Sequence, residues 1–272
     1  MTSKRLLVIP EFNESLTICA VLERSLPYVD RVVVVDDGST DDSSQLIRAF
    51  AGGHPEIVLL ELPRNQGMSG ALLTGFAYAW LLLQDGWLSP TDWIITIDAD
   101  GQHRPEEIPE LVAAATAREV DVMLTRRDLR GYPRFKRIGN WGLSLWASWL
   151  SGHRYHDVEC GFRAFRAGVL VDLLQYFTGR RYGCAQEIGV ITALQKWRID
   201  NTWPTQISYY RAGARMRDGL VNLWMGLMAW WRVRNEIAYP IEERTQAVLG
   251  LARTAPPLGT TRPVRNTPWI PF

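Results

Sequence analysis

Two aspartates one residue apart, Asp98 and Asp100, follow the apolar run Trp93 to Ile97 in the stretch DWIITIDADGQHRPEE (92–107). Carboxylates set that close at the end of a buried strand repel each other unless a positive charge is shared between them. Hard oxygen ligands of this kind suit Mg²⁺ or Mn²⁺, which commonly join protein carboxylates to phosphate oxygens. Gln102 and His103 add potential ligands just downstream. The plainer reading is that Asp98 caps a loop and Asp100 opens the next helix, both ordinary places for aspartate. A second pair, Asp36 and Asp37, ends the run RVVVV (31–35), and Gly38 behind it permits the sharp turn that a bound nucleoside needs. Thr40 or Asp41 as a helix cap serves either reading. A third segment, NQGMSGALLTG (65–75), sets Gly67 and Gly70 at a helix start, where backbone N–H groups can meet an anion. Close helix–strand packing accounts equally for Gly70, Ala71 and Gly75.

The elements that must position these groups alternate. RLLVI (5–9), RVVVV (31–35), EIVLL (56–60), WIITI (93–97) and DVMLT (121–125) read as strands, and 14–26, 41–50, 68–84 and 105–118 as helices. Continuous apolar strands alternating with helices imply an α/β fold, a mostly parallel central sheet with helices on both faces. Such sheets take ligands beyond the carboxyl ends of their strands, and PEFNE, DDGSTDDS, RNQGMSG and DADGQH each fall there in turn. In the second half a basic cluster (Arg126, Arg127, Arg130, Arg134, Lys136 and Arg137 against the single acid Asp128) leads into a helix over 135–150. Helical patterns follow near 167–177 and 186–197, then a strand around NTWPTQISY and a Trp-rich helix over 217–234. One domain is expected over 1–238. Residues 239–272 carry six prolines and little periodicity, so an extended or disordered tail is expected there.

The formal charge of the 272-residue chain is +1, which gives no global field for nucleic acid, and 47% hydrophobic residues suffice for a sizeable core. Cys19, Cys160 and Cys184 have no metal-type spacing and suit reduced thiols of the cytosol. The apolar run before Pro10 is too short for a secretory signal, and the nearly uncharged run 219–231 falls short of the roughly 20 residues that span a bilayer.

Taken in order, P-x-F-N-E (10–14), V-D-D-G-S (35–39), N-Q-G-x-x-G-A (65–71) and D-A-D-G-Q-H (98–103) resemble the family-2 inverting glycosyltransferases of GT-A fold. D-x-x-C-G-F-R (157–163) and R-x-G (Arg211, Gly213) narrow the resemblance to the polyprenyl-phosphate hexosyl synthases of the dolichyl-phosphate mannose synthase type, over roughly residues 5 to 235. The resemblance implies metal-dependent transfer of a hexose, mannose or glucose in type, from a GDP- or UDP-sugar to a polyprenyl phosphate. It assigns the donor to Pro10, Phe12, Glu14, Asp36, Asp37, Gly67, Asp98 and Ala99, and a Mg²⁺ or Mn²⁺ ion to Asp98, Asp100 and Gln102. The acceptor phosphate falls to Arg126, Arg137, Arg163, Arg211 and Arg215, and catalysis to Asp157, Asp100 and Arg126, with Asp157 either a base or an orienting group. Departures from the pattern are Glu11 in place of a small or hydroxyl residue, Cys160 in place of serine, and RAGARMR without the Ser-Lys that usually follows R-x-G.

A lipid acceptor requires the site to meet the cytoplasmic face of a membrane. Leu220, Trp224, Leu227, Met228 and Trp231 form one helical stripe, and Trp146 and Trp149 offer a second contact, so peripheral association is expected; the same stripe would equally serve as core. A membrane-protein partner stays open. The alternatives are a soluble family-2 glycosyltransferase with a non-lipid acceptor and a non-catalytic nucleotide-sugar-binding scaffold.

Overall fold

Along the first strand, Leu6 and Val8 pack into the core on one face of the sheet and Leu7 and Ile9 into the core on the other, all fully buried. This is why the apolar runs are continuous. The computed structural model describes residues 3–207 and 216–254. In chain order the elements are β1 (Arg5–Glu11), α1 (Ile18–Ser25), β2 (Arg31–Asp36), α2 (Ser43–Ala51), β3 (Ile57–Glu61), α3 (Met68–Gln84), β4 (Trp93–Thr96), α4 (Ile108–Ala117), β5 (Val122–Leu124), β6 (Arg126–Arg127), α5 (Arg134–Ser151), β7 (Arg163–Arg166), α6 (Leu170–Tyr176), α7 (Cys184–Leu194), β8 (Ile199–Asp200), β9 (Pro204–Thr205), α8 (Met216–Arg234), α9 (Ile241–Leu251) and β10 (Arg253–Thr254).

The main sheet runs β10-β3-β2-β1-β4-β7-β5-β8, and β6 pairs with β9 beside it. β3-β2-β1-β4 are parallel, whereas β7 is antiparallel to both β4 and β5. The α/β fold with helices on both faces, and all five expected strands, are present.

The expected extended tail is corrected over 241–254. Ile241, Val248 and Leu249 pack against the core, and Arg244 donates to the carbonyls of Leu174 and Phe177, which fixes α9 on the fold. β10 then covers the edge strand β3, with Arg253 opposite Glu61 and Thr254 opposite Leu60. Of the six prolines that suggested disorder, Pro240 stands just before α9 as its N-cap, where it removes no helical hydrogen bond. The other five follow Thr254, outside the described residues.

Candidate active site at the carboxyl edge of the sheet

Because β7 runs antiparallel between β4 and β5, its first residue, Arg163, is registered opposite both Thr96 and Leu124. Asp98 lies two residues beyond one partner and Arg126 two beyond the other. The segment 157–162 is thereby delivered to the edge at which the parallel strands end. Neighbouring strands are spaced about 4.8 Å apart, so the Asp98 loop and the Arg126 loop stand on the order of 10 Å apart, with Arg163 between them.

On the β4 side, Asp98 Oδ2 lies 3.2 Å from Nε2 of buried His103, whose Nδ1 has no partner. Burial alone would raise Asp98, but the His103 contact and the charges of Arg163 and Arg127 hold it below the usual carboxylate range. Asp100 is the reverse: burial and the adjacent Asp98 charge raise it. Gln102 partly offsets this, donating its backbone N–H to Oδ1 at 3.0 Å and its side-chain amide to Oδ2 at 2.5 Å. A Cβ at Gly161 would sit 2.5 Å from both carboxylate oxygens of Asp98, so glycine is what leaves Asp98 its position. Among the described residues no three His, Cys, Asp or Glu side chains gather to enclose a metal by themselves. A hard ion that takes one or two carboxylates and completes its shell with ligand phosphate oxygens needs no more, so Asp98 and Asp100 fit it. Gln102, turned amide-first toward Asp100, retains only Oε1 for such a role.

At the ends of β1 and β2 the proposed donor residues are drawn together, but several already hold backbone. Asp37 accepts the N–H groups of Gln66 and Gly67, each at 2.7 Å, and so ties β2 to the start of α3. Gly67 has φ +85°, and a Cβ there would meet the Arg181 backbone at 2.7 Å. Asp36 accepts the Ser39 N–H at 2.8 Å and the Ser44 hydroxyl. Thr17 Oγ1 donates to Ala99 O at 2.8 Å and lies 3.4 Å from Glu14 Oε2, joining the first and fourth motifs. Pro10 is buried, whereas Phe12 is exposed at the rim. Glu11, registered opposite Asp36, is buried beneath Ser39; burial, with the Asp36 charge adding to it, pushes its carboxyl up to about 7.

On the β5 side a cavity of about 560 Å³ is lined by Arg126, Arg127, Arg130, Arg137, His156 and Asp157, among others. Three residues expected at the site, Arg126, Arg137 and Asp157, therefore share one wall. Asp157 itself is closed by Arg127, which donates Nε to Oδ2 at 2.7 Å and Nη2 to Oδ1 at 2.9 Å. Arg130 is taken by Asp128, while Arg126 and Arg137 enter no ion pair among the described residues. Arg163 is buried, within the field of Asp98 and of Glu159 but bridged to neither. Arg211 and Arg215 lie outside the described residues.

Arg127 and Asn201 are positions at this edge that the sequence did not single out. Asn201 is buried, accepts the N–H groups of His156 and Asp157 at 2.6 and 2.9 Å, and donates to Leu124 O at 2.8 Å. Strand alternation through Arg126–Arg127 was the available signal for the first, since neighbouring strand residues face opposite ways. Nothing in the spacing marks Asn201.

α5, which contributes Arg137 to this cavity, packs further along its length against α8. Phe135, Ile138, Trp141, Leu145 and Trp149 of α5 are exposed, as are Leu220, Trp224 and Trp231 of α8. Trp146 is turned the other way, donating its indole N–H to Leu223 O at 3.0 Å and stacking on Trp149. Among the described residues no helix is long and apolar enough to cross a membrane.

The chain resembles known polyprenyl-phosphate sugar transferases. It is 28% identical to an undecaprenyl-phosphate mannosyltransferase of Micrococcus luteus, over 79% of this chain and 88% of that protein. It is 26% identical to a UDP-N-acetylglucosamine–dolichyl-phosphate N-acetylglucosaminyltransferase of Methanococcus voltae, over 71% of this chain and 81% of that protein. Among solved structures, glucosyl-3-phosphoglycerate synthase of Mycobacterium tuberculosis, in complex with Mn²⁺, uridine diphosphate and glucosyl-3-phosphoglycerate, superposes with a TM-score of 0.59 at 21% identity, over 86% of this chain and 81% of that one. That likeness establishes the fold as GT-A. The family described as Glycosyl transferase family 2 matches residues 6–169, and the chain belongs to it.

Proposed function

We propose that this glycosyltransferase moves a hexose from a GDP- or UDP-sugar to the phosphate of a polyprenyl lipid, with inversion, at the cytoplasmic face of a membrane. The observation that carries the reading is the convergence at one sheet edge. Asp98 and Asp100 stand on one side of Arg163, and a cavity lined by Arg126 and Arg137, whose guanidinium groups enter no ion pair among the described residues, stands on the other.

The nucleoside end of the donor falls to the ends of β1 and β2, around Pro10, Phe12, Glu14, Asp36 and Asp37, with Gly67 and Ala99 closing the site. Asp98 and Asp100 would hold Mg²⁺ or Mn²⁺, with Gln102 orienting Asp100. What the ion supplies when bound is charge to offset that growing on the leaving diphosphate. The acceptor phosphate falls to Arg126, Arg137 and Arg163, with Arg211 and Arg215 as further candidates. Guanidinium groups bind phosphate bidentately and fix its orientation. A phosphate monoester is already anionic near neutrality, so its oxygen needs positioning for in-line attack and no strong base. Asp157 fits that economy as the residue that orients Arg127. Both its oxygens accept from Arg127, so the carboxylate is committed to holding that guanidinium.

The exposed apolar side chains of α5 and α8, with Arg134 and Arg137 at the start of α5, suit the headgroup region of an anionic bilayer, where a polyprenyl phosphate presents its phosphate. α5 contributes more of this surface than the sequence suggested. The second reading, transfer to a soluble acceptor, is favoured by the fold shared with glucosyl-3-phosphoglycerate synthase. Offering polyprenyl phosphate and a soluble phosphate ester as competing acceptors separates the two.

A further inference from the structure

Two residues past Asp157, Glu159 is the carboxylate of this segment that forms no ion pair with an arginine among the described residues. Its Oε1 accepts from the side-chain amide of Gln186 at 2.9 Å and its Oε2 from that of Asn222 at 3.2 Å. The two amides come from different elements, Gln186 from α7 and Asn222 from α8, and both are buried while Glu159 itself is only partly so. The cluster has acceptors in excess. Among the described residues, Gln186 Oε1 and Asn222 Oδ1 are buried without a donor, and each carboxylate oxygen of Glu159 accepts a single hydrogen bond where it has room for a second. Buried polar atoms left this way are rare and call for an explanation, such as a water or another bound group that supplies donors. The missing partner must bring hydrogen-bond donors. Gly161, two residues after Glu159, lies directly against the Asp98 carboxylate, which puts the cluster beside the reaction centre. A phosphate is excluded as the partner, since it would set anion against anion and acceptor against acceptor. A polyhydroxylated ring, delivered with its diphosphate near Asp98 and Asp100, supplies the donors.

We propose that Glu159, oriented by Gln186 and Asn222, accepts hydrogen bonds from hydroxyls of the sugar being transferred and thereby selects which sugar the enzyme uses. The assignment rests on the donor reading above and deepens it. Burial raises the Glu159 carboxyl, against the pull of Gln186, Arg127 and Arg163. A site that hydrogen-bonds a hydroxyl rejects an analogue that lacks or misplaces it, because its own polar groups are then left unpaired.

The test is Glu159→Gln, nearly the same in shape, compared with the parent in two assays: equilibrium binding of UDP and GDP, which carry no sugar, and kcat/KM with the preferred nucleotide sugar and its epimers. Nucleoside diphosphate affinity should stay within about twofold. The kcat/KM for the preferred donor should fall by one to two decades, and the preference over epimers should collapse toward unity. Asn222→Leu, which releases one side of the carboxylate, should move the epimer ratio in the same direction by less. Circular dichroism establishes that each variant is folded, and Glu159→Asp, which keeps the acceptor, should recover part of the ratio. An unchanged epimer ratio in folded Glu159→Gln overturns the assignment, as does loss of UDP or GDP affinity equal to the loss of turnover. A parent chain that binds neither nucleotide overturns the donor reading itself, and this inference with it.

Discussion

Arg127 closes the carboxylate of Asp157 with three hydrogen bonds, two from its guanidinium and one from its backbone N–H at 3.0 Å. Asp157 is buried and the Arg127 side chain is 18% exposed, so water does little to weaken the pair. Burial by itself would raise Asp157, yet the charge and hydrogen bonds of Arg127 hold it well below the usual carboxylate range. A carboxylate bound in this way has no proton to exchange at neutral pH. It steers Arg127, and Arg127 in turn reaches Asn140 Oδ1 at 3.0 Å on α5.

Asp157→Asn should destabilise the fold by about 3 kcal/mol, because it leaves a buried guanidinium uncompensated. The folded pKa lies below the unfolded one, so the parent holds this stabilisation above about pH 4 and loses it as pH falls through the folded value. The pH–rate profile between pH 6 and 9 should therefore carry no limb that disappears in Asp157→Asn. A limb present in the parent and absent in the variant would make Asp157 a base and sink the orienting role.

Glu11 gives the opposite pH dependence. Its carboxyl is pushed from an ordinary 4.5 up to about 7, by burial first and by Asp36 in addition. As pH rises between those values the unfolded chain ionises and the folded chain does not, so stability is lost, by up to about 3 kcal/mol at 1.36 kcal/mol per unit. Glu11→Gln can keep the Glu14 N–H and Ser39 hydroxyl contacts without the charge. Its thermal midpoint should match the parent near pH 4.5 and exceed it at pH 8. A parent–variant difference that does not change with pH would contradict this account of Glu11.

The place of Asp98 depends on the absence of a side chain at Gly161. Gly161→Ala puts a methyl group 2.5 Å from both Asp98 oxygens, and the carboxylate must rotate away while the strands stay paired. The expected outcome is a folded protein whose activity needs at least tenfold more Mn²⁺. An unchanged Mn²⁺ requirement would remove Asp98 from the metal site.

Trp149 and Trp224, 72% and 59% exposed, should anchor the chain to lipid. Trp149→Ser with Trp224→Ser should leave the thermal midpoint within a degree or two, since neither side chain is buried, and should sharply reduce flotation with vesicles containing anionic lipid. Equal flotation of the folded variant would move the membrane face elsewhere. A gel-filtration shift from dimer to monomer would make it an interface between two copies.

The carboxyl edge of the sheet was legible because its chemistry is local. Apolar strands ending in Asp36 or Asp98 name their own positions, and a parallel sheet sends every such ending the same way. What joins distant segments was not legible. That Asp157 meets Arg127 and that Arg163 stands between Asp98 and Arg126 follow from β7 being antiparallel, and that Asn201 holds both loops follows from β8 pairing with β5, pairings that no periodicity discloses. The fold of 241–254 is hidden behind its proline content, because the burial of Ile241, Val248 and Leu249 depends on a surface built by α3 and α6.

The most direct measurement is transfer itself: labelled hexose from UDP- and GDP-sugars offered to a polyprenyl phosphate and to a soluble phosphate ester, with Mg²⁺, Mn²⁺ or EDTA, in the parent and in Asp100→Ala. The account predicts label in the lipid phosphate with one donor, inverted at the anomeric carbon, abolished by EDTA, restored by either ion, and absent in Asp100→Ala. Full transfer in EDTA, or label that enters only the soluble ester, would contradict it.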